Sequence, residues 1–544
     1  MKLRMHRPRL LCAALLAAIA APALADDQAT STPQQVQALP EPPMAAARQD
    51  SFVLQSVEFV GATGVPAEDL QEAAAPYIGK SVTFADLEAI AARATAIYAQ
   101  RGFALTQAYV PVQEVVDGRV QIAVAEATLG NISIDVAADA PIDRERVART
   151  LAILEPGQPL NGRRYERAML LLSDLPGIRP QSVVSAGSQS GTTDLAVEVA
   201  RVDPLKWAVE LDNFGTGASG RHRLTGTMRW ASPSGRGDNL DARLMLAQGM
   251  HTAFGRLGYE TPVGYSGLRV GGGIARVQYE LGGPFAALEP TGTGNVADLS
   301  FSYPLVRQRA MNLFFRGIFD HKSLTDRFEA VGFEARKRIS GGGLGLALER
   351  RDGLLGGGYT SATGMLYHGR LSLRDETSRA FDAPPIGYGT AGGFTKLTLQ
   401  GARLQYIAPR LSLFVGAGLQ RASKNLDAYE KLSLGGPRAV RAYPAGEVLV
   451  DDGWVANVEL RLGFTAEITG LVFYDAADGD FFHDPRPLDP VNSRALRGYG
   501  LGFNWTRPGN VAVNLSLAWS DTGPALTDGD DRDPRLFWSI QKSF

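Results

Sequence analysis

Cysteine is nearly absent from this chain: among 544 residues there is one, Cys12. It lies inside an apolar run at 10–21. Lys2, Arg4, Arg7 and Arg9 precede that run, and Ala23-Leu24-Ala25 follows it as a small-x-small cleavage site. The layout is that of a secretory signal peptide, and the run is too short to remain as a spanning helix. A cysteine within the run rather than after it argues against a lipoprotein. Loss of residues 1–25 leaves no cysteine, which excludes disulfides and thiol catalysis. Also lacking is any later stretch of about 18 apolar residues, so no transmembrane helix is expected. Charge of one sign is lacking as well. The net charge is −2, and removing the four signal cations takes it to −6. With no basic block, no nucleic-acid partner is implied. His222, His251, His321, His368 and His483 show no ligand spacing, so no metal site is expected. There is no Gly-x-Ser-x-Gly elbow, and the glycine-rich run at 341–345 opens no helix. Neither a hydrolase nor a phosphate-binding loop is indicated, and the expectation is a non-enzyme without cofactor.

What is present is glycine, 61 of 544 residues against a usual ~7 %, and alternation. At the carboxyl terminus Leu536, Trp538, Ile540 and Phe544 share one face, and Arg535, Ser539, Gln541 and Ser543 share the other. Apolar-out, polar-in alternation over about ten residues suits a lipid-facing barrel strand. Taken alone it also suits an amphipathic strand of a soluble sandwich that ends in Phe. The same period recurs. Trp207, Val209 and Leu211 alternate with Lys206, Ala208, Glu210 and Asp212, and Val458, Leu460, Leu462 and Phe464 with Asn457, Glu459 and Arg461. The polar sets carry charges, which fits a wet lumen rather than a dry core. A mean hydropathy of −0.08 does not oppose this, because alternating strands average out. From Asp203 onward, 342 residues divide into about 16 antiparallel strands if each crossing takes ~10 residues and each connection about as many again.

Between leader and strands lie three segments. Residues 26–50 are rich in Pro, Gln and Ala and read as a linker. Residues 51–127 predict strand, helix, helix, strand, strand. The strand covers 52–60, and a first helix covers 66–77. Thr83 caps a second helix over 84–101, with Leu87, Ile90, Ala94, Ile97 and Tyr98 on one stripe. Two strands at 108–112 and 119–125 turn at Asp117-Gly118. Residues 128–201 repeat that order, with strands at 131–136, 183–186 and 194–199 and helices at 143–151 and 161–173.

Two such tandem units ahead of a barrel of this size resemble two periplasmic POTRA domains and the pore of a two-partner secretion transporter. That is the ShlB/FhaC/HecB type of haemolysin secretion and activation protein, in the superfamily of BamA. Leu-Ser-Asp-Leu-Pro-Gly-Ile at 172–178 and Tyr303-Pro304-Leu305 with Arg307 carry part of the resemblance. Its most specific segment is Leu-Gly-Gly-Pro-Arg-Ala-Val-Arg-Ala-Tyr-Pro-Ala-Gly-Glu at 434–447. This is similar to the family's re-entrant extracellular loop, expected near 434–453, with motif residues Val440, Arg441, Ala442, Tyr443 and Pro444. Many relatives have Gly where Ala442 stands, a position where a loop tip could need positive φ.

The resemblance implies a Gram-negative outer-membrane location, with the barrel in lipid and the POTRA domains at 51–127 and 128–201 in the periplasm. It implies an inner-wall motif including Phe473 and Gly479, and a pairing of Arg441 with Asp475 on that wall. Without it, Arg441 reads as a solvated loop cation and Asp475 as a turn residue. It further implies a secreted partner exoprotein, a haemolysin or adhesin, exported unfolded without nucleotide. The terminal strand, with Trp538 and Phe544, resembles the signal read by the barrel-assembly machinery. In some relatives a helix ahead of the first POTRA domain plugs the pore. Here Pro33, Pro40, Pro42 and Pro43 would keep any such helix short. The alternative is an assembly factor of the BamA type, which usually carries more POTRA units.

Overall fold

The computed structural model describes residues 51–189, 191–487, 489–507, 509–527 and 532–544. The leader expected at 1–25 and the linker at 26–50, with any short plug helix, lie outside them. The chain forms two compact bodies, divided between Val202 and Asp203.

The first body holds two α+β units with the same topology. In the first unit, Thr83 and Asp86 bond each other's backbone N–H and cap the helix Phe84–Gln100. That helix buries Leu87, Ile90, Ala94 and Tyr98, as its spacing predicts. Its sheet runs in the order Ser56–Val60, Arg119–Ala125, Gln107–Tyr109, the first pairing parallel and the second antiparallel. In the second unit Thr128–Val136, Thr192–Arg201 and Ile178–Ala186 follow suit, under helices Arg144–Leu151 and Gly162–Ser173.

Some local expectations are corrected. The strand expected over 52–60 is broken, because the chain changes partner. Phe52–Val53 pairs with Ser81–Val82, Leu54 donates to the Lys80 carbonyl, and Gln55 donates to the Gly118 carbonyl. The strand expected over 108–112 stops at Tyr109, ahead of Pro111, which has no N–H for a ladder. Beyond it the Gln113 side chain donates to the Gln121 carbonyl and accepts from the Gln121 N–H, both at 2.7 Å. Asp117 and Gly118 do take the positive φ of a tight turn, 53° and 71°, but close only the bridge Val116–Arg119.

The two units are joined end to end by helix termini. Carbonyls left over at the end of Phe84–Gln100 accept from donors at the start of Gly162–Ser173. The Gly162 N–H bonds the Gly102 carbonyl at 2.7 Å, and the Arg163 guanidinium bonds the Gln100 carbonyl at 2.7 Å. Gly102 can turn the chain there because it holds φ at 98°, and a Cβ would press on the Asn161 side chain at 3.1 Å.

The second body is a closed barrel of sixteen antiparallel strands among the described residues, each paired with its sequence neighbours. The last, Arg535–Ser543, returns to the first, Leu205–Asp212, from Ser539 opposite Asp212 to Ser543 opposite Ala208. Phe544 completes that seam. Its ring stacks on Trp207 with centroids 3.7 Å apart, and the Phe544 N–H bonds the Trp207 carbonyl at 2.9 Å. The predicted alternation holds on the terminal strand: Leu536 and Ile540 are exposed outward, whereas Arg535, Phe537 and Ser539 are buried inward. Strand length departs from the ~10 residues needed to cross lipid. It runs from 8 in the first strand to 20 in Phe333–Asp352. The short turns lie at the end that carries Leu205 and Phe544. The long connections, 374–391 and 423–451 among them, lie at the other.

Glu126 is the hub of the first unit. Its carboxylate accepts from the Thr63 N–H at 2.7 Å, the Gly64 N–H at 2.7 Å, the Tyr98 hydroxyl at 2.6 Å and the Thr63 hydroxyl. Burial opposes ionisation, but the bonds from Gly64, Thr63 and Tyr98 outweigh it and hold the carboxyl below its usual range. Tyr98, fully buried, is pushed up by burial and by its bond to Glu126. A depressed carboxylate stabilises above its unfolded pKa and loses that contribution as pH falls through the folded value. Glu126→Gln should therefore destabilise residues 51–202 by about 1–3 kcal/mol at pH 7. The difference from wild type should shrink below about pH 4. Thermal unfolding of both forms across that range reads this directly, and a difference independent of pH would dismiss the charged hub.

Candidate functional site: a loop folded back onto the inner barrel wall

The connection 423–451 joins the wall strands Leu411–Ala422 and Asp452–Gly463. It turns into the barrel because Leu432–Ser433 and Leu449–Val450 pair antiparallel and close a hairpin between them. Its tip packs rather than hydrates. Val440, Ala442 and Tyr443 are almost wholly buried among Leu471, Phe473, Ala477 and Leu496 of the wall, and Pro444 is buried too. Gly435 is needed for the fold-back, since a Cβ there would sit 2.5 Å from the Pro444 carbonyl oxygen. The expected span 434–453 is too long at its end: Asp452 and Gly453 already belong to the wall, opposite Asp480 and Gly479.

Alternation on Ile468–Asp480 turns Leu471, Phe473, Asp475 and Ala477 inward. Arg441 arrives on this row. Its Nε and one terminal nitrogen each bond Asp475 at 2.8 Å, and its own backbone N–H bonds the same carboxylate at 3.0 Å. The planar fork is what permits the two-point grip. The Phe473 ring lies under the guanidinium, 3.5 Å from its carbon. At Gly479 a Cβ would come 2.8 Å from the Val450 side chain, so glycine lets the hairpin base seat. Asp475 is 0 % exposed, so the pair is a buried one.

Two members of this cluster were missed from sequence. Glu459 takes the remaining terminal nitrogen of Arg441 at 2.7 Å and is held in turn by Arg461 at 2.6 Å. Asn457 donates to Asp475 and to the Ala439 carbonyl, both at 2.8 Å. Both residues stood in a polar alternating set. Only strand register, which sets Asn457 opposite Asp475, shows which of that set meets Arg441. Ala442 needs no positive φ. Its methyl faces Gly498, which stands opposite Asp475 on the neighbouring strand Ser493–Arg507, and a Cβ there would come within 2.5 Å of it. Glycine at this wall position leaves room for the Ala442 methyl.

A second anchor holds the loop's stem and had no sequence signal. Glu430, 2 % exposed, bonds Lys322 at 2.5 Å and Lys396 at 2.9 Å. Lys337 bridges Asp427 and Asp326, each at 3.1 Å. Lys431 bonds the fully buried Asp451 at 2.8 Å. These partners come from strands more than a hundred residues away in places, so no spacing rule finds them. Beyond the tip, Glu447 accepts from Arg494 at 2.6 Å and from the Leu526 N–H at 2.7 Å, and the Tyr443 hydroxyl donates to the Gly523 carbonyl at 2.8 Å. Of the two terminal-strand residues singled out, Phe544 is exposed beside Trp207, and Trp538 lies half-buried with its ring 5.8 Å from that of His222.

Comparison with known proteins fits this architecture. The model of ShlB-type POTRA domains matches residues 52–127. The model of the haemolysin secretion/activation proteins ShlB/FhaC/HecB matches residues 191–504. The heme/hemopexin transporter protein HuxB of Haemophilus influenzae is 24 % identical over 504 residues, covering 91 % of this chain and 87 % of its own length. The outer membrane transporter CdiB of Escherichia coli is 24 % identical over 499 residues, covering 86 % of this chain and 80 % of its own. The solved structure of CdiB from Escherichia coli superposes with a TM-score of 0.74 at 20 % identity, over 95 % of this chain and 93 % of that one. CdiB from Acinetobacter baumannii gives 0.66 at 17 % identity, over 92 % and 91 %. The likeness of the two structures is one of fold.

The geometry makes the loop's attachment testable. Removing Arg441 leaves Asp475 charged and buried without its cation, a change that costs about 3–5 kcal/mol. Arg441→Ala and Asp475→Ala should each raise hydrogen exchange across 434–450, and the double variant should add little to either. Glu459→Gln should raise it less, since it leaves the two-point grip on Asp475 intact. Wild-type protection in Arg441→Ala, with the barrel still folded, would show that other contacts hold the loop.

Proposed function

The chain belongs to the haemolysin secretion/activation family ShlB/FhaC/HecB, and from that premise we propose that it exports one partner exoprotein through its barrel, the transporter half of a two-partner secretion pair. It is an outer-membrane β-barrel protein whose POTRA region lies in the periplasm. The short-turn end of the barrel is then periplasmic and the long-loop end extracellular. The observation that carries the reading is the grip of Arg441 on Asp475, which seats a re-entrant loop on the inner wall of a barrel that follows periplasmic units.

Several finer assignments belong to this reading. Residues 51–127 are the first POTRA domain and residues 128–201, with the same sheet topology, the second. The partner, a haemolysin or an adhesin, is met as extended chain. The sheets' outer strands, such as Ile178–Ala186, carry unpaired backbone groups that such a chain can join by β-augmentation. It then threads the lumen without nucleotide and folds outside, which gives the direction. Ion pairs such as Arg256 with Asp298, 2.6 Å, and Arg403 with Asp352, 2.9 Å, keep the lumen polar. The outward apolar faces meet outer-membrane lipid. The terminal strand, with Trp538 and Phe544, is the part read by the barrel-assembly machinery. The protein acts as a transporter rather than an enzyme. An assembly factor of the BamA type is the competing reading, and the family match to 191–504 favours secretion.

Arg441→Ala should lower the amount of partner in the medium by roughly tenfold or more while leaving the transporter in the membrane, because the desolvated pair lies inside and the lipid-facing residues are unchanged. Asp475→Ala should do the same. Normal secretion by both, at normal membrane levels, would reduce the pair to a structural contact. A chain lacking residues 26–50 should show more frequent channel opening in planar bilayers if that segment plugs the pore, and unchanged opening would remove the plug.

A further inference from the structure

Strand register sorts the outward-facing residues of the barrel into rows. Across Leu268–Glu280, Pro290–Arg307, Met311–Phe328, Phe333–Asp352 and Gly358–Leu373, one row reads Val270, Phe301, Gly317, Leu344 and Leu366. Leu344 and Leu366 are more than half exposed, as side chains in lipid should be. Three rows nearer the long loops, the same five strands read Arg276, Asn295, Ser323, Arg338 and Ser372. Of the two rows between, the lower holds Leu299 and Phe319 and the upper places Arg370 opposite Ser340, and the row beyond sets Arg374 beside Arg336. The wall therefore passes from leucine to arginine within a few residues, on one side of the barrel.

These cations are not satisfied by the protein. Arg338, Arg370 and Arg374 are exposed, and among the described residues no carboxylate pairs with any of them. Arg276 donates only to the Asn295 side chain, at 3.2 Å. Arg336 alone is matched, by Glu334. A groove of about 590 Å³ opens here, lined by Ser323, Thr325, Arg336, Arg338, Arg374 and Asp375 among others. Alternation keeps the field off the lumen. The inward neighbours Ile339 and Leu371 are buried on the other face, so a chain passing through the pore cannot touch these arginines.

We propose that this outward arginine field binds the phosphate groups of the phosphorylated glycolipid of the outer leaflet, lipid A. The proposal rests on the outer-membrane location and goes beyond it by naming the lipid and its seat. The depth is that of a headgroup, above an exposed apolar band that runs from Leu344 and Leu366 up to Leu299 and Phe319. The chemistry is complementary, because a guanidinium fork grips phosphate oxygens at two points. Basic pockets at membrane surfaces bind phosphorylated headgroups by the same means. Acyl chains of the same molecule would lie along the Leu344 and Leu366 row.

The test uses the full-length protein in phosphatidylcholine nanodiscs that contain a minor fraction of bis-phosphorylated lipid A, read by native mass spectrometry. Wild type should retain lipid A. The triple variant Arg338→Ala, Arg370→Ala, Arg374→Ala should bind it roughly a hundredfold more weakly, at about fivefold per charge removed. The triple Arg→Lys variant should recover most of that loss. Wild type should not retain lipid A stripped of phosphate, an arm that needs no variant to fold. Equal retention by wild type and the alanine variant would overturn the proposal, as would equal retention of the phosphate-free lipid. Displacement of lipid A by an equal concentration of inorganic phosphate would also overturn it, leaving an anion site only. Fractionation with outer membranes is scored separately, so a failed lipid site and a failed location give different results.

Discussion

The rest of this structure depends on closure of one sheet. In hydrocarbon no backbone N–H or carbonyl can go unpaired, so a wall of strands must meet itself. Here the meeting is the short seam between Leu205–Asp212 and Arg535–Ser543, carried further by the stacked rings of Trp207 and Phe544. Once the wall is closed, period-2 alternation sends every other residue into an interior that lipid never reaches. Charge is tolerable there only if it is wet or paired.

The re-entrant loop answers that condition in an unusual way. It brings its own charges into the interior and satisfies the wall's charges with them. Arg441 completes Asp475 and Glu459 on two adjacent strands, and Glu430 completes Lys322 and Lys396 on strands earlier in the wall. The loop is thus tied at tip and stem to different strands of the wall. The two ties share no residue, so the contacts of the tip and those of the stem are separate. That arrangement suits a pore that must hold a closed interior and still admit a polypeptide.

Glycine placement shows how finely wall and loop are fitted. Ala442 meets Gly498 and Val450 meets Gly479, so at both points a loop side chain faces a wall position without a Cβ. The α+β body follows a different rule. Its helices are fixed by caps such as Thr83 with Asp86, and its two units by one helix end donating to another, with Glu126 gathering the turns of the first.

The amino-acid sequence by itself determined the class of fold. Alternation and length give a barrel of about sixteen strands, caps and stripes give two repeated α+β units, and the segment at 434–447 marks the loop and its arginine. The barrel and the α+β units are local signals, a period or a spacing that a single segment carries, whereas the loop and its arginine were marked only by the resemblance of that segment to a family. Broken strands such as 52–60 were hidden, because the change of partner at Leu54 depends on where residues 80 and 118 arrive. The companions of Arg441 were hidden for the same reason. Glu459 and Asn457 look like any lumen residues until register sets them beside Asp475, and Lys322, Lys337 and Lys396 look like strand cations until the stem of the loop reaches them. Only the tertiary structure decided these, because a buried charge selects its partner by proximity in space, and a closed wall brings together residues that the chain keeps far apart.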